Sequence, residues 1–465
     1  MKACFRIPTS KKFQQNEARD LGRVLLLPHE GSCNNPTHGM KACFHIRPQD
    51  TSRVILKLLE GIGIQENKPL NPYFCGMLNF EIINPTRIVF GKNQLDRLPA
   101  LLNELSPNKK VLLAYGGSSA ERIGLLARIR EQLTQFKLIE FRGIEANPEF
   151  STLMKGVELS REKKVDAILA VGGGSVIDGV KFMSGAYFYK TDPWDVLLRK
   201  EGCVFENALP FGTILTLPAT GSEANSGAVI SRSELQEKRT MGGPLFFPKF
   251  SFLDPTVVAS LPEHQIANGI VDAFVHTLEQ YVTYPTDNFL QERQAEAILS
   301  TLIEVGPKVL KNPSDYVAAS NLMWCATHAL NGNLRCGVPT DWATHMIGHE
   351  LTAYFGIDHA RTLAIIVPRL YEDQFENKRQ KLAQYGQRVW NLTGSEEECA
   401  RESIRRTEAF FHSLEIKTHV SEYVTNIHDL PEKIRDRFEE RGWLAMGERQ
   451  AITPESVESI VRAAL

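Results

Sequence analysis

Asp272, His276, His345 and His359 are far apart in this 465-residue chain, yet their types suit one divalent-metal site. Asp272 and His276 stand four residues apart in GIVDAFVHTLEQY, which puts a carboxylate and an imidazole on one helix face. His345 and His349 repeat that spacing in DWATHMIGHELTAYFG, and His359 follows the Gly356 expected to end that second helix. One carboxylate with three imidazoles suits Zn²⁺ or Fe²⁺ better than Ca²⁺ or Mg²⁺, which take oxygen ligands. The chain holds 12 histidines, so i,i+4 pairs also arise by chance, and an isolated pair is more often structural. A zinc-peptidase HExxH motif is excluded, because His349-Glu350 is followed by Leu351, Thr352 and Ala353.

Two glycine-rich turns carry a second chemistry. In VGGGSVIDGVKFMSG, Gly172, Gly173, Gly174 and Ser175 lie between a strand candidate and a helix candidate. Backbone N–H groups there, with a helix N-terminus behind them, can hold a pyrophosphate, although tight strand-to-helix turns also use glycine for conformation alone. The turn is not GxGxxG, so the standard dinucleotide fingerprint does not apply. In LLAYGGSSAERIG, Gly116, Gly117, Ser118 and Ser119 offer no carboxylate for a ribose 2′-hydroxyl. Small residues leave room for a 2′-phosphate that Arg122 can meet, while Glu121 opposes it. The balance favours NADP(H) over NAD(H). A third segment, TLPATGSEANSGAVIS, gathers Thr220, Gly221, Ser222, Asn225 and Ser226, which can line a nucleotide cleft or form an ordinary polar loop.

Two domains are the natural expectation for positioning these residues, since the chain exceeds the usual single core. At 43% hydrophobic and 23% charged residues it reads as an ordinary globular protein. A net charge of −2 gives no reason to expect nucleic acid or a membrane surface as partner. No apolar run reaches a membrane span. The eight cysteines show no CxxC clustering; Cys4, Cys33, Cys43 and Cys75 crowd into the first 76 residues, while the scattered Cys203, Cys325, Cys336 and Cys399 read as free thiols of a reducing, cytoplasmic compartment.

Residues 1–76 read apart from the rest. MKACF at 1–5 recurs at 40–44, too short to define a repeat, and residues 52–61 can form a short amphipathic helix. Residues 1–23 lack a signal-peptide apolar region, and Glu17 and Asp20 are unwelcome in a transit peptide. The segment reads as an extension or as translation from a start upstream of Met77.

From Met77, FEIINPTRIVFG gives two short strand candidates around Pro85. Strand candidates at 110–115, 136–141 and 165–171 alternate with helical periods at 120–133 and 150–163. That alternation argues for a doubly wound parallel sheet over 77–261, the dinucleotide-binding domain. Helical periodicity dominates 262–465, the metal-binding domain.

The combination GGGSxxD, PATGSE, DAFVH and HxxxHxxxxxxxxxH resembles the iron-containing (group III) alcohol dehydrogenases, in particular their NADPH-dependent aldehyde reductase and butanol dehydrogenase branch. The resemblance covers residues 77–465 and implies a dehydroquinate synthase-like fold. It places the metal ligands on Asp272, His276, His345 and His359, with His349 near the metal and not ligating it. The phosphate turn falls on Gly172–Ser175, followed by Asp178. Thr220, Ser222 and Lys238 fall near the nicotinamide half, and Gly117, Ser118 and Ser119 at the adenosine end. There the chain departs, with Glu121 where the branch often has lysine. The resemblance implies Fe²⁺, a homodimer, and small aldehydes or primary alcohols as substrates; the ligand set suits Zn²⁺ equally. His349, on the helical face of His345, is the candidate proton relay. Glu279→Ala is expected to matter much less than Asp272→Ala. An NAD- and Zn²⁺-dependent polyol or glycerol dehydrogenase, or a non-catalytic homologue, are the alternatives.

Overall fold

The computed structural model describes residues 2–6, 41–45, 76–425 and 427–465. The chain divides into two compact units, Met1–Pro72 and Tyr73–Leu465. In the first, β1 (Lys2–Arg6) and β2 (Lys41–His45) pair antiparallel, with Cys4 opposite Cys43. The recurring KACF stretch therefore pairs with its own copy. The helix expected at 52–61 lies outside the described residues.

The second unit begins with a six-stranded sheet. Its strands are β3 (Arg87–Phe90), β4 (Lys110–Tyr115), β5 (Lys137–Arg142), β6 (Ala167–Gly172), β7 (Phe211–Leu215) and β10 (Phe250–Leu253). All are parallel, in the order β3-β10-β7-β6-β4-β5. AILAVG of β6 and FGTIL of β7 are buried at every position, the near-continuous apolar run expected of a strand covered on both faces. The period of two sorts β4 cleanly. Val111, Leu113 and Tyr115 join a core with helices α1 (Leu98–Leu105) and α2 (Leu125–Gln132). Leu112 and Ala114 face the opposite side, with α3 (Phe150–Lys163) and α4 (Gly174–Ala186). That second core runs on without a break into the helical half.

Four local expectations are corrected. Residues 77–86 form no strand: Pro85 lacks a donor, and the Asn84 amide instead donates to the carbonyls of Ala224 and Asn331. The period at 120–133 is split at Gly124, whose φ of 69° ends one helical turn (Ser119–Arg122) and starts α2. Gly172 closes β6 and Gly174 opens α4, so the glycine turn has only Gly173 between them. TLPATGSEANSGAVIS does not lead directly into the helices. It enters an antiparallel hairpin of β8 (Gly227–Arg232) and β9 (Glu237–Gly242), outside the main sheet.

The helical half comprises α5 (Glu263–Tyr281), α6 (Phe289–Lys311), α7 (Tyr316–Leu330), α8 (Ala343–Phe355), α9 (His359–Asp373), α10 (Phe375–Val389), α11 (Glu396–Ser413), α12 (Leu430–Glu440) and α13 (Pro454–Ala463). Gly356 closes α8 at φ 69°, as its position foretold. Helix α5 is buried at almost every position beyond its first turn and lies centrally in this half. Among the described residues, no helix is long and apolar enough to cross a membrane.

Candidate metal centre and cofactor crevice

Three helices deliver the cluster. Asp272 and His276 occupy consecutive turns of α5, His345 sits in the first turn of α8, and His359 opens α9. Their potential ligand atoms all lie within 4.8 Å of one another. Asp272 Oδ2 is 3.8 Å from His276 Nδ1, and Asp272 Oδ1 is 3.6 Å from His359 Nε2. The His276 and His345 rings stack at 4.7 Å, with His359 5.1 Å from His345.

The chemistry of this set fits a divalent cation. Asp272 Oδ1, His276 Nδ1, His345 Nε2 and His359 Nδ1 are buried without a hydrogen-bond partner, an expensive arrangement for four polar atoms unless something binds them. Burial pushes the His276 imidazole down to about 4 and that of His345 to about 3. It holds His359 well below the ordinary range too. All three rings are neutral near pH 7, the form that offers lone pairs.

His349 stands beside this set and outside it. Its ring is 6.3 Å from that of His345 and 5.2 Å from that of His359. Burial and the nearby Lys238 charge press its imidazole well below the ordinary value. Trp342 closes another side, edge-on to His345 at 5.4 Å, from a left-handed backbone position of φ 66°. Such a conformation is costly for a bulky residue, and neither spacing nor periodicity announces it.

The two glycine turns meet at the carboxyl ends of neighbouring strands β4 and β6. From β4 the chain moves outward to β5, and from β6 it moves the other way to β7 and β10. This is the topological switch point, where open parallel sheets bind ligands. Gly117, Ser118 and Ser119 are exposed there, and Gly173 and Ser175 are half-buried. Gly174 is required by contact: a Cβ would stand 2.5 Å from the Thr220 side chain, so the turn and the TLPATGSE loop touch.

Ser222 donates to Asp178 Oδ1 at 2.6 Å, and the Val229 N–H donates to Asp178 Oδ2 at 2.9 Å. Both carboxylate oxygens of Asp178 are thus engaged inside the protein, tying α4 to the loop and hairpin. Lys238 on β9 donates to Asn147 Oδ1 at 3.0 Å, and Asn147 N–H donates to Ser175 Oγ at 3.3 Å. Asn147 and Lys181 were missed by sequence reasoning. Lys181 is fully buried and donates to Ser222 Oγ, Asn225 Oδ1 and the Gly227 carbonyl. A lysine inside an apolar helical period was the available signal. Burial lowers the Lys181 and Lys238 ammonium groups to about 8.

At the outer end of the crevice, Glu121 pairs with Arg130 at 3.0 Å, and Arg130 also binds Glu140 at 2.9 Å. The charge of Glu121 is therefore already partnered.

One contact joins the two halves of the site. Gly269 lies one turn before Asp272 on α5, and a Cβ there would stand 2.3 Å from the Pro218 carbonyl oxygen. The metal-side helix and the cofactor-side loop touch backbone to backbone.

Comparison with known proteins agrees with this architecture. The family model described as iron-containing alcohol dehydrogenase matches residues 85–255, and that of the Fe-containing alcohol dehydrogenase family C-terminal part matches 266–465. The chain is 47% identical over 391 residues to the NADPH-dependent aldehyde reductase YqhD of Escherichia coli, covering 83% of this chain and 100% of the relative. It is 39% identical over 395 residues to the probable NADH-dependent butanol dehydrogenase 1 of Bacillus subtilis, covering 84% and 100%. The crystal structure of E. coli YqhD superposes with a TM-score of 0.81 over 84% of this chain and 100% of that one. NADH-dependent butanol dehydrogenase A of Thermotoga maritima gives 0.80 at 30% identity, over 84% and 99%. By both family models, and by a cluster that four separated residues build, the chain belongs to the iron-containing alcohol dehydrogenase family.

Proposed function

We propose that this enzyme interconverts aldehydes and primary alcohols by hydride transfer with NADP(H), at a divalent Fe²⁺ or Zn²⁺ ion held by Asp272, His276, His345 and His359. The observation that carries the reading is the convergence of Asp272, His276, His345 and His359, whose potential ligand atoms lie within 4.8 Å of one another, beside the switch point of the sheet. In this reading residues 77–261 form the dinucleotide-binding domain and 262–465 the metal-binding domain, with residues 1–76 outside the catalytic unit. The names of the aldehyde reductase and butanol dehydrogenase relatives support the substrate class.

When bound, the ion supplies Lewis acidity toward a carbonyl oxygen, and the reduced nicotinamide supplies the hydride. The chain does the rest. Gly172, Gly173, Gly174 and Ser175 offer backbone N–H groups and a hydroxyl to the pyrophosphate. Asp178 acts at one remove, by fixing Ser222. Thr220, Ser222 and Lys238 face the nicotinamide half, and Asn147 holds Lys238 against the Ser175 turn. Gly117, Ser118 and Ser119 leave space at the adenosine end. Pairing of Glu121 with Arg130 supports NADP(H), because it removes an unpartnered negative charge from the place of a 2′-phosphate. Trp342 walls the cluster and keeps the substrate small. His349 passes a proton to the reacting oxygen as the alcohol forms, a role that its ring supports by lying 5.2 Å from that of His359.

The partner expectations extend to a homodimer, checked by light scattering, and to a cytoplasmic setting, which the free thiols of Cys203, Cys325, Cys336 and Cys399 support.

The test is aldehyde-dependent oxidation of NADPH, with NADH in parallel, on metal-reconstituted protein. Turnover that favours NADPH, ends with chelator and returns with Fe²⁺ or Zn²⁺ is the expected result. No turnover with any short aldehyde, despite bound metal and nucleotide, would move the reading to a polyol dehydrogenase or a non-catalytic homologue.

A further inference from the structure

Glu279 follows His276 by three residues on α5, and its side chain is buried. Its Oε1 accepts the Thr344 N–H at 2.8 Å, and its Oε2 lies in hydrogen-bond contact with His345 Nδ1. Among the described residues, no lysine or arginine forms an ion pair with it. The lysine of this region, Lys378, is spent on Asp341 and Glu448. The surroundings hold the contact in register. Asp341 N–H donates to the Glu279 backbone carbonyl at 2.9 Å, and Asp341 Oδ1 accepts the Ala343 N–H at 3.0 Å at the start of α8. The first turn of α8 is thereby clamped to α5 on either side of Trp342.

The geometry has one consequence for His345. A neutral imidazole carries its proton on one nitrogen and a lone pair on the other. An ionised Glu279 can only accept, so in that state Nδ1 carries the proton and the lone pair lies on Nε2, the buried atom that has no partner inside the protein. Carboxylate, imidazole and cation then stand in line, an arrangement that fixes the ring and strengthens the ligand.

We propose that Glu279 is a positioning residue of the metal centre: it fixes His345 in the Nδ1–H form and aims Nε2 at the space shared with Asp272, His276 and His359. This rests on the metal reading above and sharpens it. It also revises the expectation that loss of Glu279 matters little.

Glu279→Gln is the decisive variant. Glutamine keeps the shape but offers one acceptor oxygen where two N–H donors converge, so its NH₂ must face one of them. Zn²⁺ affinity, measured on the full chain by competition with a chromophoric chelator, is expected to fall about 10- to 100-fold. Unchanged affinity would overturn the proposal. In a His345→Ala background, Glu279→Gln is expected to add almost no further loss, because the ring it serves is gone. A full, independent loss there would assign Glu279 to general packing and overturn the proposal. Should the variant fail to fold, the wild-type protein still decides. With ¹⁵N-labelled histidine and no metal, His345 is expected as the Nδ1–H tautomer, and the Nε2–H tautomer would overturn the proposal. A wild-type chain that binds no Zn²⁺ would defeat the metal reading itself, a result separate from the tautomer.

Discussion

On the sheet side, the candidate site is lined largely by backbone and small residues: Gly173 between strand and helix, and Gly117, Ser118 and Ser119 open to solvent. On the helical side, it is made of four side chains gathered from three helices, with Asp272, His276 and His345 buried. A backbone-lined site depends on what is absent, because an added Cβ or charge is what harms it. A side-chain-built site depends on what is present, and loss of one ligand leaves the others buried and unpaired. The two halves should therefore respond to substitution in different currencies, the first in cofactor affinity and the second in metal and turnover.

The largest effect belongs to the helical side. Asp272→Ala is expected to remove metal and activity together, by at least roughly 10³-fold in turnover, the scale of losing Lewis-acid stabilisation worth several kcal/mol. Stoichiometric metal in that variant, measured by plasma emission, would break the contrast. His349→Phe comes next, with turnover reduced on the order of 10²-fold while metal content stays intact, as for a lost proton relay. Unchanged turnover and pH profile would return His349 to a packing role.

At the seam, Gly269→Ala sets a Cβ against the immobile Pro218 carbonyl. We expect a loss of about 1–3 kcal/mol in stability, read by denaturant unfolding, with both metal and cofactor affinity weakened. An effect on only one of them would show that the halves act independently. The smallest effect is expected on the sheet side. Lys238 is an ammonium below about 8 and neutral above it, since burial disfavours its charge. NADPH affinity should therefore fall as pH rises through about 8, and Lys238→Met should raise the dissociation constant about tenfold and flatten that step. A step that persists in the variant would belong to Lys181, which titrates in the same range.

That Asp272, His276, His345 and His359 converge was legible in part because i,i+4 spacing survives folding as a shared helix face, and because Gly356 marks where the chain turns toward His359. The strands at 110–115 and the helix at 150–163 were legible for the same reason, their periods being long and regular. What escaped detection depends on contacts between distant segments. Nothing near Glu279 announces His345, which is 66 residues away. Asn147 gains meaning only when folding brings it to Ser175 and Lys238. The hairpin β8–β9 was hidden because its burial alternates against helices and not within the main sheet. Residues 77–86 misled because apolar content without a pairing edge does not make a strand.

The contact between Gly269 and Pro218 also bears on how such proteins can be recombined. Chimaeras that join the sheet half of one relative to the helical half of another are naturally cut near 261, where the last 3₁₀ turn ends and α5 begins. That cut leaves Pro218 on one parent and Gly269 on the other. The spacing between the Pro218 loop and the Asp272 cluster would then be inherited from neither parent alone, and a helix carrying any larger residue at 269 would push the two halves of the site apart.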